Sequence, residues 1–177
     1  MFVRRHLMAA GLGVVLTAPA ARALAAMPAR RLSFDNLHTG EKLDVAYWER
    51  GAYVPQALDA VNHVLRDFRT GDVHAIAPPL LDLLTALTAS LETRAALGVI
   101  SGYRSPQTNA MLCEKSSQVA SGSLHMLGEA IDIHIDGVET TRVRDAAEQL
   151  SIGGVGYYPT SDFVHVDIGR VRRWQGS

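Results

Sequence analysis

Ala130-Ile131-Asp132-Ile133-His134-Ile135 and Phe163-Val164-His165-Val166-Asp167-Ile168 are the two stretches from which the rest of the chain can be read. In both, apolar side chains alternate with polar or small ones, the two-residue period of a half-buried strand. Ile131, Ile133 and Ile135 fall on one face of the first, opposite Ala130, Asp132 and His134; in the second, Val164, Val166 and Ile168 fall opposite His165 and Asp167. Each strand therefore has one face for a core and one face that carries titratable groups. Just ahead of the first, His125 precedes Gly128 by three residues. Glycine permits a sharp turn there, so that a loop side chain can fold back beside the strand.

Histidines and an aspartate so arranged form a ligand set. Imidazole nitrogen and carboxylate oxygen both bind Zn²⁺, and a catalytic zinc keeps three protein ligands and an open position for water. A single strand histidine is ordinarily a hydrogen-bonded side chain and no ligand. Here His125, His134 and His165, three of the six histidines beyond residue 25, lie in these segments with carboxylates around them. The constellation reads as a zinc site, with a metal-free histidine cluster as the plain alternative.

Working outward, Leu58, Val61, Leu65 and Phe68 recur at helical spacing between Pro55 and Phe68, opposite Asp59, Asn62 and Arg66. Pro78-Pro79 opens a second helix, whose Leu80, Leu83, Leu84, Leu87 and Leu91 form a core stripe. Leu97 to Ser101 reads as a strand. Ser105-Pro106 is a helix start, leading into Gln107 to Glu114, and the Ser- and Gly-rich Ser116 to Ser123 reads as a loop over the site. Arg142 to Leu150 reads as a short helix ended by Gly153-Gly154. Residues 26 to 51 look like an irregular arm with short strands. Helices followed by strands interleaved with short helices argue an α+β fold, in which a small antiparallel sheet carries the zinc site and helices flank it.

The first 25 residues have the pattern of an export leader and are set apart from the fold. Arg4-Arg5 precedes an uncharged apolar stretch too short to span a bilayer, and Ala23-Leu24-Ala25 offers a cleavage site. The paired arginine points to the twin-arginine route and a periplasmic location. No cysteine near the cleavage site supports a lipid anchor, so no stable membrane attachment is expected once the leader is removed. Its loss takes away three arginines and no acid, moving the formal net charge from −1 to −4 with His neutral. Nucleic acid is therefore not an expected partner. Cys113, the only cysteine, excludes an intrachain disulfide. Residues 26 to 177 suit one domain of ordinary core size, and nothing in them fixes an oligomeric state.

Ser123-x-His125-x-x-Gly128-x-Ala130-x-Asp132 resembles the zinc motif of peptidase family M15 and its relatives, the lysostaphin-like and D-Ala-D-Ala metallopeptidases. Ser101-Gly102-Tyr103-Arg104-Ser105-Pro106, Gly153 to Pro159 and Phe163 to Asp167 are similar to the branch with the YcbK-type murein endopeptidases. The resemblance implies zinc ligands at His125, Asp132 and His165 and a peptidoglycan peptide as substrate. What it implies as activity is a zinc-dependent hydrolase of the murein endopeptidase or D,D-carboxypeptidase type. A zinc-containing module that binds peptidoglycan without turnover is the other reading.

Hydrolysis needs a group to accept the proton of the attacking water. In relatives that end Glu-x-Trp-His the glutamate does so. Here that position is Asp162, with Val164 in place of the tryptophan. His134 competes, because it shares a strand face with Asp132 and has a suitable pKa. Asp167, on the face of His165, reads as the carboxylate that orients the imidazole, and is the next candidate base after Asp162 and His134. Arg104 is either a charge that holds its own loop or, as the family's Ser-x-x-Arg segment implies, a binder of substrate carboxylate or oxyanion. Ser123 either binds the substrate backbone or caps the loop. Tyr157 and Tyr158 either line the cleft or pack, and Arg170 to Arg173 read as a solvated basic tail.

Overall fold

The computed structural model describes residues 28–116 and 119–176, so the leader lies outside the described residues. Eight strands form one sheet: β1 (Arg30–Asn36), β2 (Lys42–Glu49), β3 (Ala52–Tyr53), β4 (Leu97–Ser101), β5 (Ala130–Ile135), β6 (Gly154–Tyr158), β7 (Phe163–Asp167) and β8 (Arg172–Gln175). Among the described residues the helices are α1 (Pro55–Val64), α2 (Pro78–Ser90), α3 (Pro106–Lys115) and α4 (Thr140–Leu150), with a 3₁₀ turn at Leu124–Leu127. The fold is α+β.

The sheet is neither small nor purely antiparallel, which corrects the expectation from sequence. Its order is β3-β2-β1-β4-β5-β7-β6-β8, with β1 parallel to β4 and β8 parallel to β6. Only the centre, β4-β5-β7-β6, is the antiparallel unit that the alternation described. The difference arises at the edges. The arm is a long hairpin, with Leu32 opposite Val45, Phe34 opposite Leu43 and a register shift between Arg30 and Arg31, and the tail adds a strand. A parallel neighbour is reached only through a long crossover, here α1 and α2 between β1 and β4, and alternation within a strand carries no record of that partner.

Packing follows the stripes. α2 lies against β1 and α4, and α4 lies against β6, β7 and β5. Leu80, Leu83, Leu84 and Leu87 of α2 and Val143 of α4 share one buried core with Ile131, Ile133, Ile135, Val164 and Val166. Each such side chain contributes about 1.5–3 kcal/mol by leaving water. With those residues turned to the helices, alternation turns Asp132 and His165 to the other face of the sheet. α1 stops at Val64, four residues early, because tertiary donors take its last carbonyls: Asn36 Nδ2 donates to Val64 (2.8 Å) and the Tyr103 N–H to Leu65 (2.7 Å). α4 ends on Ser151 in the left-handed region (φ 52°), ahead of Gly153. Ser105 and Pro106 start α3 as read, with Ser105 Oγ accepting the Thr108 N–H at 3.1 Å.

Candidate metal centre

Asp132 and His165 are directly opposed across β5 and β7, so the sheet register itself brings carboxylate to imidazole. Asp132 Oδ1 lies 2.8 Å from His165 Nδ1. His125 comes from the 3₁₀ turn before β5, which Gly128 closes at φ 67°. A β-carbon on Gly128 would overlap the Ala75 carbonyl oxygen, so the turn takes only glycine. His125 Nε2 then stands 3.2 Å from Asp132 Oδ1 and 3.2 Å from His165 Nδ1.

The far nitrogens of both rings decide what the near ones offer. His125 Nδ1 is 2.7 Å from the Gly102 carbonyl oxygen, and His165 Nε2 is 3.0 Å from Asp167 Oδ2. Each faces an acceptor and so carries the proton in the neutral ring, which leaves His125 Nε2 and His165 Nδ1 with lone pairs. With both rings neutral in those tautomers, two lone-pair nitrogens and a carboxylate oxygen converge at 2.8–3.2 Å; with a second proton on His165, its Nδ1 instead donates to Asp132 Oδ1. A cation placed among them could be held by all three. Four ligands at zinc's bond lengths of about 2.0–2.1 Å sit about 3.3–3.4 Å apart in a tetrahedron, close to the observed triangle. Among the described residues, these three are the group of His, Cys, Asp and Glu side chains with metal-ligand spacing, and all are buried.

The charges are matched locally. Burial pushes the pKa of His125 down and outweighs Asp132 beside it, so the ring is neutral and able to ligate. Burial also disfavours charge on Asp132, yet the two imidazoles hold its carboxyl far below the usual carboxylate range. At His165 burial is outweighed by hydrogen bonds with Asp132 and Asp167, which raise the pKa. Asp167 is fully buried and stays ionised despite burial, held by His165, Arg172 and the N–H groups of Gly154 and Gly169.

Arg104 closes one side. Its Nη2 lies 3.3 Å from Asp132 Oδ2 and 3.3 Å from Ser101 Oγ, and its N–H donates to the His125 carbonyl at 3.2 Å. Its Nε is buried with no partner among the described residues. A cleft of about 570 Å³ opens over the triad, lined by Arg104, Ser123, Tyr158, Arg172 and Trp174. The loop before Ser123 is fastened by Asn109, whose Nδ2 donates to the Ala120 and Ser121 carbonyls at 3.1 and 3.3 Å.

The structure thus brings together His125, Asp132, His165, Arg104 and Ser123. It does not bring Asp162 and His134 to them: neither lines the cleft. Asp162 sits at φ 53° in the β6–β7 turn, where Oδ1 accepts from Thr140 Oγ1 (3.1 Å) and Oδ2 lies 3.3 Å from His134 Nδ1. Tyr158 faces the cleft, whereas Tyr157 lies under the Arg144 guanidinium. Arg172 and Trp174 were missed. Their alternation on β8 (Arg172–Gln175) was the available signal; Arg172 was read as part of the solvated tail Arg170 to Arg173, and Trp174 was given no role.

A buried group of two imidazoles and a carboxylate on a sheet face, at the floor of an open cleft, is a ligand set of the kind that metal-dependent hydrolases use. Within that class the chain belongs to peptidase family M15: the family model described as "Peptidoglycan L,D-endopeptidase MepK" matches residues 24–174. The chain is 42% identical over 175 residues to the peptidoglycan L,D-endopeptidase MepK of Escherichia coli K12, covering 97% of this chain and 96% of that protein. The protein of the same name from Shigella flexneri matches equally. A probable peptidoglycan L,D-endopeptidase MepK from Haemophilus influenzae is 41% identical over 167 residues, covering 93% and 90%.

Proposed function

We propose that this protein is a zinc-dependent endopeptidase that cuts L,D peptide bonds in peptidoglycan, and that His125, Asp132 and His165 hold the ion. The observation that carries the reading is the buried triangle of His125 Nε2, Asp132 Oδ1 and His165 Nδ1, 2.8–3.2 Å apart, at the cleft floor. The relatives' names favour an endopeptidase over a carboxypeptidase.

A zinc ion held by His125, Asp132 and His165 would supply a water with a pKa of about 7 and a Lewis acid for the carbonyl. The chain's own residues do the rest. Asp167 holds the His165 ring so that Nδ1 faces the site, and the Gly102 carbonyl does the same for His125 Nε2. Arg104 offers donors beside Asp132 for a substrate carboxylate or the developing oxyanion. Ser123, on the cleft wall, binds substrate backbone. Asp162, then His134, are the candidate proton acceptors. Ser161 and Phe163 on either side of Asp162 line the cleft, and the Asp162–His134 pair has to part for either to reach it.

Peptidoglycan lies outside the inner membrane, so this substrate requires export. Arg4-Arg5 and Ala23-Leu24-Ala25 fit a twin-arginine leader over residues 1–25, and residues 26–177 are the single exported periplasmic unit. No helix among the described residues is long and apolar enough to cross a membrane.

Purified mature protein incubated with cross-linked muropeptides tests the reading. Chelation should stop cleavage and added zinc restore it. Ala at His125, Asp132 or His165 should lose both zinc and turnover, while His63→Ala, an exposed side chain on α1, keeps both. Full zinc content in His165→Ala refutes the ligand set. Binding of muropeptides with zinc present but no product establishes the non-catalytic module instead.

A further inference from the structure

Four side chains form a chain of contacts that leads away from the metal centre into the last strand. His165 Nε2 meets Asp167 Oδ2 at 3.0 Å. Arg172 grips the same carboxylate with both arms, Nη2 to Oδ2 at 2.6 Å and Nη1 to Oδ1 at 3.1 Å. The Arg172 guanidinium in turn lies 4.9 Å from the Trp174 ring centre, and that ring stands 5.1 Å from the imidazole of His165. Trp174 is fixed at its other end, its Nε1–H donating to Tyr158 Oη at 2.9 Å.

The backbone beneath these side chains is cut to receive them. β8 runs parallel to β6, with Arg172 opposite Gly154 and Trp174 opposite Gly156. A β-carbon on Gly154 would overlap the Arg172 guanidinium and stand 2.5 Å from Asp167 Oδ2; on Gly156 it would stand 2.5 Å from the Trp174 indole. The two glycines leave a trough across β6, and through it Arg172 and Trp174 reach over to β7. A solvated tail requires no such trough.

We infer that Arg172 is a positioning residue of the metal centre: acting through Asp167, it fixes the His165 imidazole with Nδ1 toward the ion. A carboxylate facing a ligand histidine fixes its tautomer and ring orientation only if it is itself held in place. Gly154 and Gly169 N–H groups hold Asp167 Oδ1 at 2.9 and 2.8 Å. Oδ2, the oxygen that faces His165, has Arg172 as its other partner. The bidentate fork sets the plane of the carboxylate, which a point-charge lysine does not.

The inference rests on the metal reading above, and one experiment separates their failures. Zinc Kd is measured by chelator competition for the wild type, Arg172→Ala, Arg172→Lys, Asp167→Asn and the Arg172→Ala/Asp167→Asn double variant, with kcat and KM on muropeptides alongside. Asp167→Asn should weaken zinc 10–100-fold, the usual effect of removing a partner of a ligand histidine. Arg172→Ala should weaken it about tenfold, Arg172→Lys by less, and the double variant no more than Asp167→Asn alone. kcat should fall with KM nearly constant. Wild type that binds no zinc refutes the metal reading. Wild type that binds zinc beside an Arg172→Ala that binds it equally well, or losses that multiply in the double variant, overturn the positioning role. A raised KM with unchanged zinc affinity overturns it too, and makes Arg172 a substrate contact. If Arg172→Ala does not fold, Arg172→Lys decides by the same measures.

Discussion

Replacing Gly102 by alanine tests whether the site's geometry depends on one carbonyl. The Gly102 oxygen accepts from His125 Nδ1 at 2.7 Å and so fixes which nitrogen His125 turns to the ion. A β-carbon at this position would stand 2.5 Å from the Leu65 carbonyl oxygen and 2.9 Å from Leu65 Cβ. Both belong to the end of α1, where backbone cannot swing aside as a flexible side chain does. Relief to an ordinary contact moves Gly102 or Leu65 by about 0.9 Å, at an overpacking cost of about 1–3 kcal/mol. For a chain of this size that lowers Tm by roughly 2–4 °C per kcal/mol. The same movement withdraws the acceptor from His125, so zinc Kd should rise about tenfold. Gly137→Ala is the control: its φ of 75° makes alanine cost a comparable 1–2 kcal/mol, yet nothing lies within 4 Å of the new β-carbon and it does not touch the triad. Thermal unfolding and chelator competition on the two variants read both quantities. Gly102→Ala that is destabilised but binds zinc like the wild type would mean that this carbonyl does not set His125, and an undiminished Tm would mean that the close approach is not real.

Asp162→Asn and His134→Gln separate the candidate proton acceptors: the true base should cost about 10²–10⁴ in kcat with zinc still bound. Because both side chains pair with each other off the cleft, small losses in both, measured at zinc saturation, would remove them as bases. Asp67 gives a pH signature remote from the metal. Burial alone would raise its pKa, but Thr108, Ser105 and the Arg69 N–H bring it down to about 2 from 3.8. A depressed carboxyl stabilises the fold above its unfolded pKa and stops doing so as pH falls through the folded one. Wild type should therefore exceed Asp67→Asn by about 2 kcal/mol at pH 7 and lose that advantage between about pH 4 and 2, as read by denaturant unfolding. A pH-independent difference would refute the assignment. Changing Arg4 and Arg5 to Lys should block export by the twin-arginine route, and normal processing of that variant in fractionated cells would indicate the general secretory route.

What could be read from sequence was whatever a single element encodes in its own periodicity. The Leu stripe of α2, the alternation of β5 and β7, the Ser105-Pro106 start of α3 and the turn at Gly128 are local patterns, and each appears where it was read. What escaped depends on partners far along the chain. β1 gains its place from β4, sixty residues on, and β8 gains its place from the glycines of β6. Arg172 looked like solvated charge because Asp167, which holds it, is visible only once β7 and β8 lie on either side of β6.

The same distinction explains why one histidine on β5's polar face joins no ligand and an aspartate two residues away does. Alternation puts Asp132 and His134 on one face and cannot choose between them. The β5–β7 register does: Asp132 is the residue opposite His165, while His134 lies two residues further along, a displacement of about 6.8 Å on an antiparallel strand. That distance exceeds any ligand-to-ligand spacing around one zinc. It carries His134 to the β6–β7 turn, where Asp162 waits at 3.3 Å. A shift of the β7 register by two residues would exchange the roles of Asp132 and His134 without altering any face, and no count of alternating residues would detect it. The β5–β7 register, set between two strands joined only through α4 and β6, therefore determines the metal site as directly as the ligands themselves.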